Sequence, residues 1–143
     1  QEEDNYLVST MMEFSPNNEY ESSGLAIVQN NFYNLKYEYS MKNGKNILRV
    51  IECNDGVNKL IKEIALECER LFLKIVSRNK KLEFYYSING VNYNLLTEGF
   101  DSSYLSTEVA GGFVGCTIGM YATSNGHESR NYSDFLWLEY YNI

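Results

Sequence analysis

The chain has 143 residues, a length typical of one domain that buries about two-thirds of the surface of its unfolded chain. Its 12 Lys and Arg residues against 19 Asp and Glu residues give a formal net charge of −7, which argues against nucleic acid and anionic membranes as partners because both attract basic surfaces. No apolar run is long enough to span a bilayer. Since the sequence begins at Gln1 rather than methionine, we expect a piece of a longer polypeptide, whose start says little about targeting.

Alternation of apolar and polar residues dominates the chain and predicts strand after strand. In chain order the predicted strands are Tyr6–Phe14, Gly24–Gln29, Tyr33–Tyr39, Ile47–Cys53, Val57–Leu66, Leu71–Ile75, Lys81–Ile88, Tyr93–Thr97, Val114–Tyr121 and Asp134–Tyr141. In the last of them, Phe135 and Trp137 are expected on one side, with Leu136, Leu138 and Tyr140 on the other. The composition of residues 61–70 also permits a helix, which we keep as the alternative there.

Three dipeptides between apolar runs, Asn43-Gly44, Asp55-Gly56 and Asn89-Gly90, predict hairpins with type I′ turns, which need positive φ at both central residues. About ten short strands with frequent turns and almost no helix indicate an all-β, antiparallel β-sandwich. No repeat or linker divides the chain, so residues 1–143 are expected to form a single domain.

The stretch from Leu105 to Thr123 combines a glycine pair with an alternating strand. Gly111 and Gly112 permit a sharp bend that carries Phe113 at its tip, and Gly115 leaves room beside the ring. Phe113 therefore either fills the core of its own domain or reaches something outside it. We expect an exposed Phe113.

Catalytic and metal patterns are weak in this sequence. The single histidine, His127, lies in a Ser/Asn/Gly segment that predicts an exposed turn rather than a catalytic base. The cysteines Cys53, Cys68 and Cys116 are odd in number and lack a CxxC spacing, so we interpret them as buried thiols of a reducing compartment. Asp134, at the start of the last strand, is a candidate ligand for a structural calcium ion, and the alternative is that it accepts hydrogen bonds from loop amides.

Sugar binding is the other chemistry to consider, because 13 tyrosines offer rings that stack on pyranose faces. The candidate stacking residues are Tyr20, Tyr33, Tyr37, Tyr85 and Tyr93, of which Tyr33, Tyr37 and Tyr85 are preferred. The alternative for each is an ordinary place in the core or on an outer sheet face.

Several segments resemble the C-terminal concanavalin A-like domain of glycoside hydrolase family 43 β-xylosidases. The segment LSTEVAGGFVGCTIGMYAT resembles its signature, and MEFSPNNEYESSGLAIVQNNFYNLKY, LEFYYSINGVNYNLL and SDFLWLEY resemble its opening, a hairpin and its closing strand. The matches follow the family's order over essentially the whole chain. Tyr93 stands where the family often has Trp, and Leu136 where it often has Asp.

The resemblance implies a jelly-roll sandwich that packs on an N-terminal five-bladed β-propeller, which carries the catalytic acids and lies outside this chain. It implies that Gly111, Gly112 and Gly115 present Phe113 to the active-site mouth of an enzyme that acts on xylo-oligosaccharides. It implies a bacterial-type cytoplasmic enzyme that uses no cofactor, and it leaves homo-oligomerisation of the whole enzyme open.

The sequence and its resemblance lead to two hypotheses about the function of the chain. The first is a non-catalytic accessory domain of a β-xylosidase or α-L-arabinofuranosidase, which alone does not hydrolyse glycosides. The second is an autonomous carbohydrate-binding module for xylan-type polysaccharide. An apolar patch around Phe113 favours the first, and a free groove with coplanar tyrosines favours the second.

Overall fold

The computed structural model describes residues 5–105, 117–129 and 131–143. These residues form ten strands and one short 3₁₀ turn, Ser103–Leu105. The strands are β1 Tyr6–Glu13, β2 Ser22–Asn30, β3 Tyr33–Lys42, β4 Lys45–Asn54, β5 Val57–Ala65, β6 Arg70–Arg78, β7 Lys81–Ser87, β8 Asn94–Asp101, β9 Thr117–Thr123 and β10 Asp134–Asn142. The helical alternative for residues 61–70 is wrong, and within the described ranges there is no helix of the length and apolarity needed to cross a membrane.

The strands form two five-stranded antiparallel sheets, which confirms the predicted β-sandwich. Sheet A has the order β10-β1-β6-β7-β8, and sheet B has the order β5-β4-β3-β2-β9. Successive side chains point to opposite faces of a strand, so each sheet contributes one alternating set to the shared core. The largest fully buried side chains are Tyr37, Tyr39, Phe84, Met12, Leu25, Ile27, Leu35, Leu48, Leu73, Ile75, Leu82 and Val8.

The connections define two ends of the sandwich. At the turn end lie the short turns at residues 31–32, 55–56 and 79–80, together with the end of β8 and the start of β9. At the loop end lie the longer connections 14–21, 66–69 and 124–133. Residues 106–116 therefore join two positions at the turn end.

Two of the three predicted hairpin turns are confirmed. Asn43 and Gly44 have φ values of 53° and 76°, and Asp55 and Gly56 have values of 53° and 78°, as type I′ turns require. The prediction for Asn89-Gly90 is wrong, because only the glycine has positive φ. The Asn89 side chain instead accepts hydrogen bonds from two following amides and shapes a longer loop over residues 88–93.

A further turn with two positive φ values, at Asn79 and Lys80, was not predicted from the sequence. Lys80 lacks the glycine signal, and its φ of 64° is one that non-glycine residues adopt uncommonly. The Asn79 amide donates a hydrogen bond to the Asn5 side chain (2.8 Å), so a tertiary contact helps to fix the turn.

The expected pairing of Phe135 and Trp137 on one side of the last strand is also wrong. The register of β10 against β1 shifts between Met11 and Met12, so that Met12 lies opposite Phe135 while Met11 lies opposite Trp137. Such a bulge inserts one residue and reverses the alternation. Phe135 consequently packs against the core, whereas Trp137 shares the outer face of sheet A with Phe72.

Gly24 marks a close approach of β2 to β3. A Cβ atom at this position would lie 2.0 Å from the carbonyl oxygen of Tyr37, which is backbone and cannot rotate away. Gly119 of the adjacent strand β9, which pairs with Ala26 of β2, has no described atom within 4 Å of the corresponding position. Two glycines in adjacent strands therefore tolerate a methyl group very differently.

We expect Gly24→Ala to lower the free energy of unfolding by about 3 kcal/mol or more, because β2 and β3 must separate. The matched Gly119→Ala change should stay within about 1 kcal/mol, since the methyl group enters open space and the unfolded chain loses freedom. Urea denaturation of both variants provides the measurement. Equal destabilisation by the two changes would contradict the close approach at Gly24.

Candidate functional site

The glycine-flanked segment that carries Gly111, Gly112, Phe113 and Gly115 lies outside the described residues, as does Cys116. Its two flanks are well anchored. Leu105 is buried in the core, and its amide donates to the carbonyl of Ser102 (2.9 Å). Thr117 opens β9 and pairs with Val28. The exposure of Phe113 stays a prediction.

Tyr37 is a core residue rather than a sugar-stacking one. Its ring has no exposed surface and meets Phe84 edge-on, with ring centroids 5.2 Å apart. Its hydroxyl donates to the backbone carbonyl of Tyr85 (2.8 Å), and burial raises the pKa of Tyr37 well above its ordinary value. The alternating pattern of β3 had placed Tyr37 on a definite face without showing that this face is the interior.

Tyr33 and Tyr85 are both partly exposed, but they lie on different parts of the molecule. Tyr33 opens β3 at the turn end, where its hydroxyl lies 3.4 Å from a carboxylate oxygen of Asp55. Partial burial, and then the charge of Asp55, raises the pKa of Tyr33. Tyr85 lies on the outer face of sheet A. Tyr33, Tyr37 and Tyr85 therefore do not form one site, whereas the candidates Tyr85 and Tyr93 lie beside the same lysine, Lys74.

Asp134 begins β10 at the loop end and is exposed. In the part of the chain that the structure describes, no three His, Cys, Asp or Glu side chains come together in a way that could hold a metal ion. Calcium binding at Asp134 stays a prediction. His127 lies in an exposed turn, as expected, and its ring stacks on that of Tyr20 at a centroid distance of 3.6 Å.

The outer face of sheet A carries a group of residues that we call the tyrosine platform: Lys74, Tyr85 and Tyr93. The Lys74 ammonium lies 4.0 Å from the ring centroid of Tyr93 and 5.4 Å from that of Tyr85. This cation occupies one face of the half-buried Tyr93 ring. The Tyr85 hydroxyl donates to Glu83 (2.7 Å), a hydrogen bond that raises the pKa of Tyr85.

Phe72 and Trp137 extend this outer face, because both lie opposite Met11 in the sheet. Their ring centroids are 6.3 Å apart with the planes tilted by 48°. Glu139 lies two residues beyond Trp137 on the same face, and the pKa of Tyr93 is raised by burial and by the charge of this carboxylate. Aromatic rings therefore alternate with carboxylates across the sheet. The sequence pattern missed Trp137 here because the bulge in β10 reverses its side.

The outer face of sheet B holds a buried ion pair. Arg49 donates to Glu38 through Nε and Nη2, at 2.6 Å each, and the Glu38 side chain is only 4% exposed. Tyr121 reaches across Gly24 from β9 and donates its hydroxyl to the other carboxylate oxygen. Burial and the Glu38 charge raise the pKa of Tyr121 well above its ordinary value. The contact ties edge strand β9, which follows the Phe113 segment, to the centre of the sheet.

A polar cleft of about 200 Å³ opens at the loop end, between the β1–β2 and β9–β10 connections. Its lining residues are Phe14, Glu21, Ser22, Ala122, Thr123, Ser124, Ser129, Asn131, Tyr132 and Ser133. Sequence patterns did not reveal it, because its two walls are about a hundred residues apart in the chain.

Glu21 is the most buried charged group of the cleft, at 4% exposure. Its carboxylate accepts hydrogen bonds from the Asn17 amide (2.8 Å), the Asn131 side chain (2.8 Å) and the Ser129 hydroxyl (2.6 Å). Burial by itself would raise the pKa of Glu21, but these donors outweigh it and lower the pKa below its ordinary value. The carboxylate is therefore held ionised and fixed in orientation.

Two packed antiparallel five-stranded sheets are consistent with the general class of concanavalin A-like β-sandwiches, and a fold by itself does not define a function. Comparison with known protein families identifies the particular family within this class. Residues 1–141 match the family of β-xylosidase C-terminal concanavalin A-like domains. The chain belongs to that family, which confirms the resemblance drawn from its motifs.

Known relatives agree with this assignment. A xylosidase/arabinosidase of Butyrivibrio fibrisolvens is 32% identical over 130 residues, which cover 91% of this chain and 25% of the relative. A non-reducing-end α-L-arabinofuranosidase of Bacteroides ovatus is 25% identical over 138 residues, which cover 95% of this chain and 26% of the relative. The chain thus spans about a quarter of the length of the curated relatives it matches.

Solved structures agree with the fold as well. The glycoside hydrolase family 43 protein BlXynB of Bacillus licheniformis superposes on this chain with a TM-score of 0.91 at 26% identity. The alignment covers 98% of this chain and 28% of that protein. The whole sandwich therefore corresponds to one part of a much longer polypeptide.

The lowered pKa of Glu21 predicts a pH dependence. A carboxylate whose pKa is lower in the folded state stabilises the fold above its unfolded pKa, about 4.5, and loses this contribution as the pH falls through the folded value. We expect Glu21→Gln to be less stable than the parent chain at pH 7 and to lose less stability on acidification. Glu19→Gln, in the same loop but exposed, should behave like the parent. Urea denaturation from pH 7 to pH 3 measures this, and an unchanged pH dependence in Glu21→Gln would refute it.

Proposed function

We propose that the chain is a non-catalytic domain of a glycoside hydrolase family 43 enzyme that acts on short xylo-oligosaccharides or related arabinosides. The observation that carries the proposal is the family match over residues 1–141 together with a span of about a quarter of each curated relative. The remaining length of such a polypeptide has room for a separate catalytic domain. That catalytic domain is the proposed partner.

The carboxylates of the described residues support a non-catalytic role. A glycosidase needs a carboxylic acid with a raised pKa as proton donor and a second carboxylate across the sugar. Glu21 has a lowered pKa, and Glu38 is engaged by Arg49 and Tyr121. Asp134 is exposed and belongs to no described acidic cluster. The hydrogen bonds of Glu21 and the ion pair of Glu38 hold loops and strands of this domain together.

Phe113 is the residue that we propose to act on the partner. Leu105 and Thr117 anchor the segment at the turn end, and Tyr121 ties β9 to Glu38, so an apolar ring carried between them has a firm base. Beside a sugar pocket, such a ring excludes water and narrows the site in favour of short substrates. The glycines Gly111, Gly112 and Gly115 supply the backbone freedom for that position.

In the full-length enzyme, we expect Phe113→Ala to lower kcat/KM for short xylosides about tenfold or more while the melting temperature stays near that of the parent. Ile88→Ala is the matched control, because it removes an exposed apolar side chain (58% exposed) in the β7–β8 connection, away from the turn end. Steady-state kinetics with aryl-xylosides measures both. Unchanged kinetics in Phe113→Ala, or hydrolysis by the 143-residue chain alone, would contradict the proposal.

A second candidate function, a carbohydrate-binding module, is favoured by the tyrosine platform. Tyr93 presents one ring face over Lys74, Tyr85 lies beside it, and carboxylates next to the rings can accept hydrogen bonds from sugar hydroxyls. The ammonium is engaged by the two rings, so the surface suits an uncharged polysaccharide better than a polyanion.

If this second function operates, the 143-residue chain should be retarded by soluble xylan in affinity electrophoresis. Tyr93→Ala should weaken that retardation about tenfold, because the stacking ring is lost. Val91→Ala is the control, since it truncates a 79% exposed apolar side chain in the same loop. Equal retardation of the parent chain and Tyr93→Ala would rule out the platform.

A further inference from the structure

The polar cleft at the loop end lies at the opposite end of the sandwich from the start of β9 and has no part in the functions proposed above. It is open, has a volume of about 200 Å³, and combines a buried carboxylate, hydroxyl groups and an exposed tyrosine ring. We propose that this cleft binds one ring of a neutral sugar. It would be a second ligand site, at the opposite end of the sandwich from the proposed partner.

The Glu21 carboxylate sets the chemistry of the ligand. An ionised carboxylate has about four acceptor positions and no donor. Oε1 accepts from the Asn17 amide and the Asn131 side chain, whereas Oε2 accepts only from Ser129 among the described hydrogen bonds. One acceptor position on Oε2 is therefore left for a ligand. The ligand must donate a proton in a hydrogen bond, and an anionic ligand would be repelled.

Ser133 supplies the complementary group. Its hydroxyl lies 2.7 Å from that of Ser23, whose single hydrogen also has the Tyr121 carbonyl within reach (3.3 Å), so Ser133 offers the cleft a hydroxyl group that can donate or accept. A sugar with neighbouring hydroxyls both donates and accepts. It can therefore pair with Glu21 and Ser133 at once, which a purely apolar ligand cannot do.

Tyr132 provides the apolar surface that a sugar ring needs. It lines the cleft with 73% of its surface exposed, and a tyrosine ring so placed has no packing role in the core. The C–H face of a pyranose or furanose stacks on such a ring. Stacking of a sugar ring would therefore explain why the Tyr132 side chain is so exposed at this position.

The cleft is also held in shape before any ligand binds. Asn125 donates to the Tyr20 carbonyl (2.6 Å) and Asn131 to the Ser15 carbonyl (2.6 Å), so each residue ties the β9–β10 connection to the β1–β2 connection. The Tyr20 ring stacks on His127 across the same connections. Such pre-organisation reduces the ordering cost of binding a weak ligand.

The volume of the cleft and the charge of its side chains limit the class of ligand further. A volume of about 200 Å³ corresponds to roughly seven water molecules, which is room for one sugar ring rather than for a polysaccharide chain. A divalent cation is disfavoured, because in the described ranges no two further metal-binding side chains accompany Glu21. A single neutral ring satisfies the donor, acceptor and stacking groups together.

The test is a titration of the ¹⁵N-labelled 143-residue chain with D-xylose and with L-arabinose, followed by amide chemical shifts. We expect saturable shifts at millimolar sugar that are confined to the cleft, at Ser129, Asn131, Tyr132 and Ser133. Tyr132→Ala and Ser133→Ala should each weaken binding about tenfold. Tyr141→Ala, which removes a 51% exposed tyrosine at the far end of β10, should bind like the parent chain.

Three outcomes would overturn the proposal: no saturable shift with either sugar, equal binding by Tyr132→Ala and the parent chain, or cleft shifts that appear with calcium alone. Phe113→Ala is included as a further control and should leave cleft binding unchanged. Because the titration needs no catalytic domain, its failure would not affect the accessory function, and failure of that function would not affect the cleft.

Discussion

A single buried tyrosine joins the two sheets of this sandwich. Tyr37 of sheet B places its ring against Phe84 of sheet A and donates its hydroxyl to the carbonyl of Tyr85, at a point where the register of β7 against β8 is irregular. A buried hydroxyl without a partner costs about 1–3 kcal/mol, so the sheets are held in one relative position by a directional bond as well as by apolar packing. Because Tyr85 makes this contact through its backbone carbonyl, its side chain remains on the outer face of sheet A.

Much of the fold could be predicted because alternation is a local signal. All ten predicted strands exist, and two Asn-Gly or Asp-Gly turns have the expected backbone. The errors arose where a distant contact decided the outcome. A bulge against β1 moved Trp137 to the outer face, and the hydroxyl bond to the opposite sheet made Tyr37 a core residue. Periodicity assigns side chains to faces, but it does not show which face is buried.

The candidate sites were less predictable than the fold, for a physical reason. The cleft forms where Glu21 meets Ser129 and Asn131, residues that only the closed sandwich brings together. The tyrosine platform depends on Lys74 lying beneath Tyr93, a contact between β6 and a loop. The family itself was recognisable from motifs, because they preserve local backbone requirements such as glycine pairs. We propose separate parts of one small domain for partner contact and for ligand binding.

The central claim is that this domain meets its catalytic partner at the turn end, where residues 106–116 leave the sandwich. Hydrogen exchange, compared between the 143-residue chain alone and the full-length enzyme, tests it most directly. We expect the amides of residues 106–116 and of the neighbouring turns 31–32 and 55–56 to exchange more slowly in the full-length enzyme, while those of the loop end stay the same. Unchanged exchange at the turn end, or new protection confined to the loop end or to the outer face of sheet A, would contradict this account.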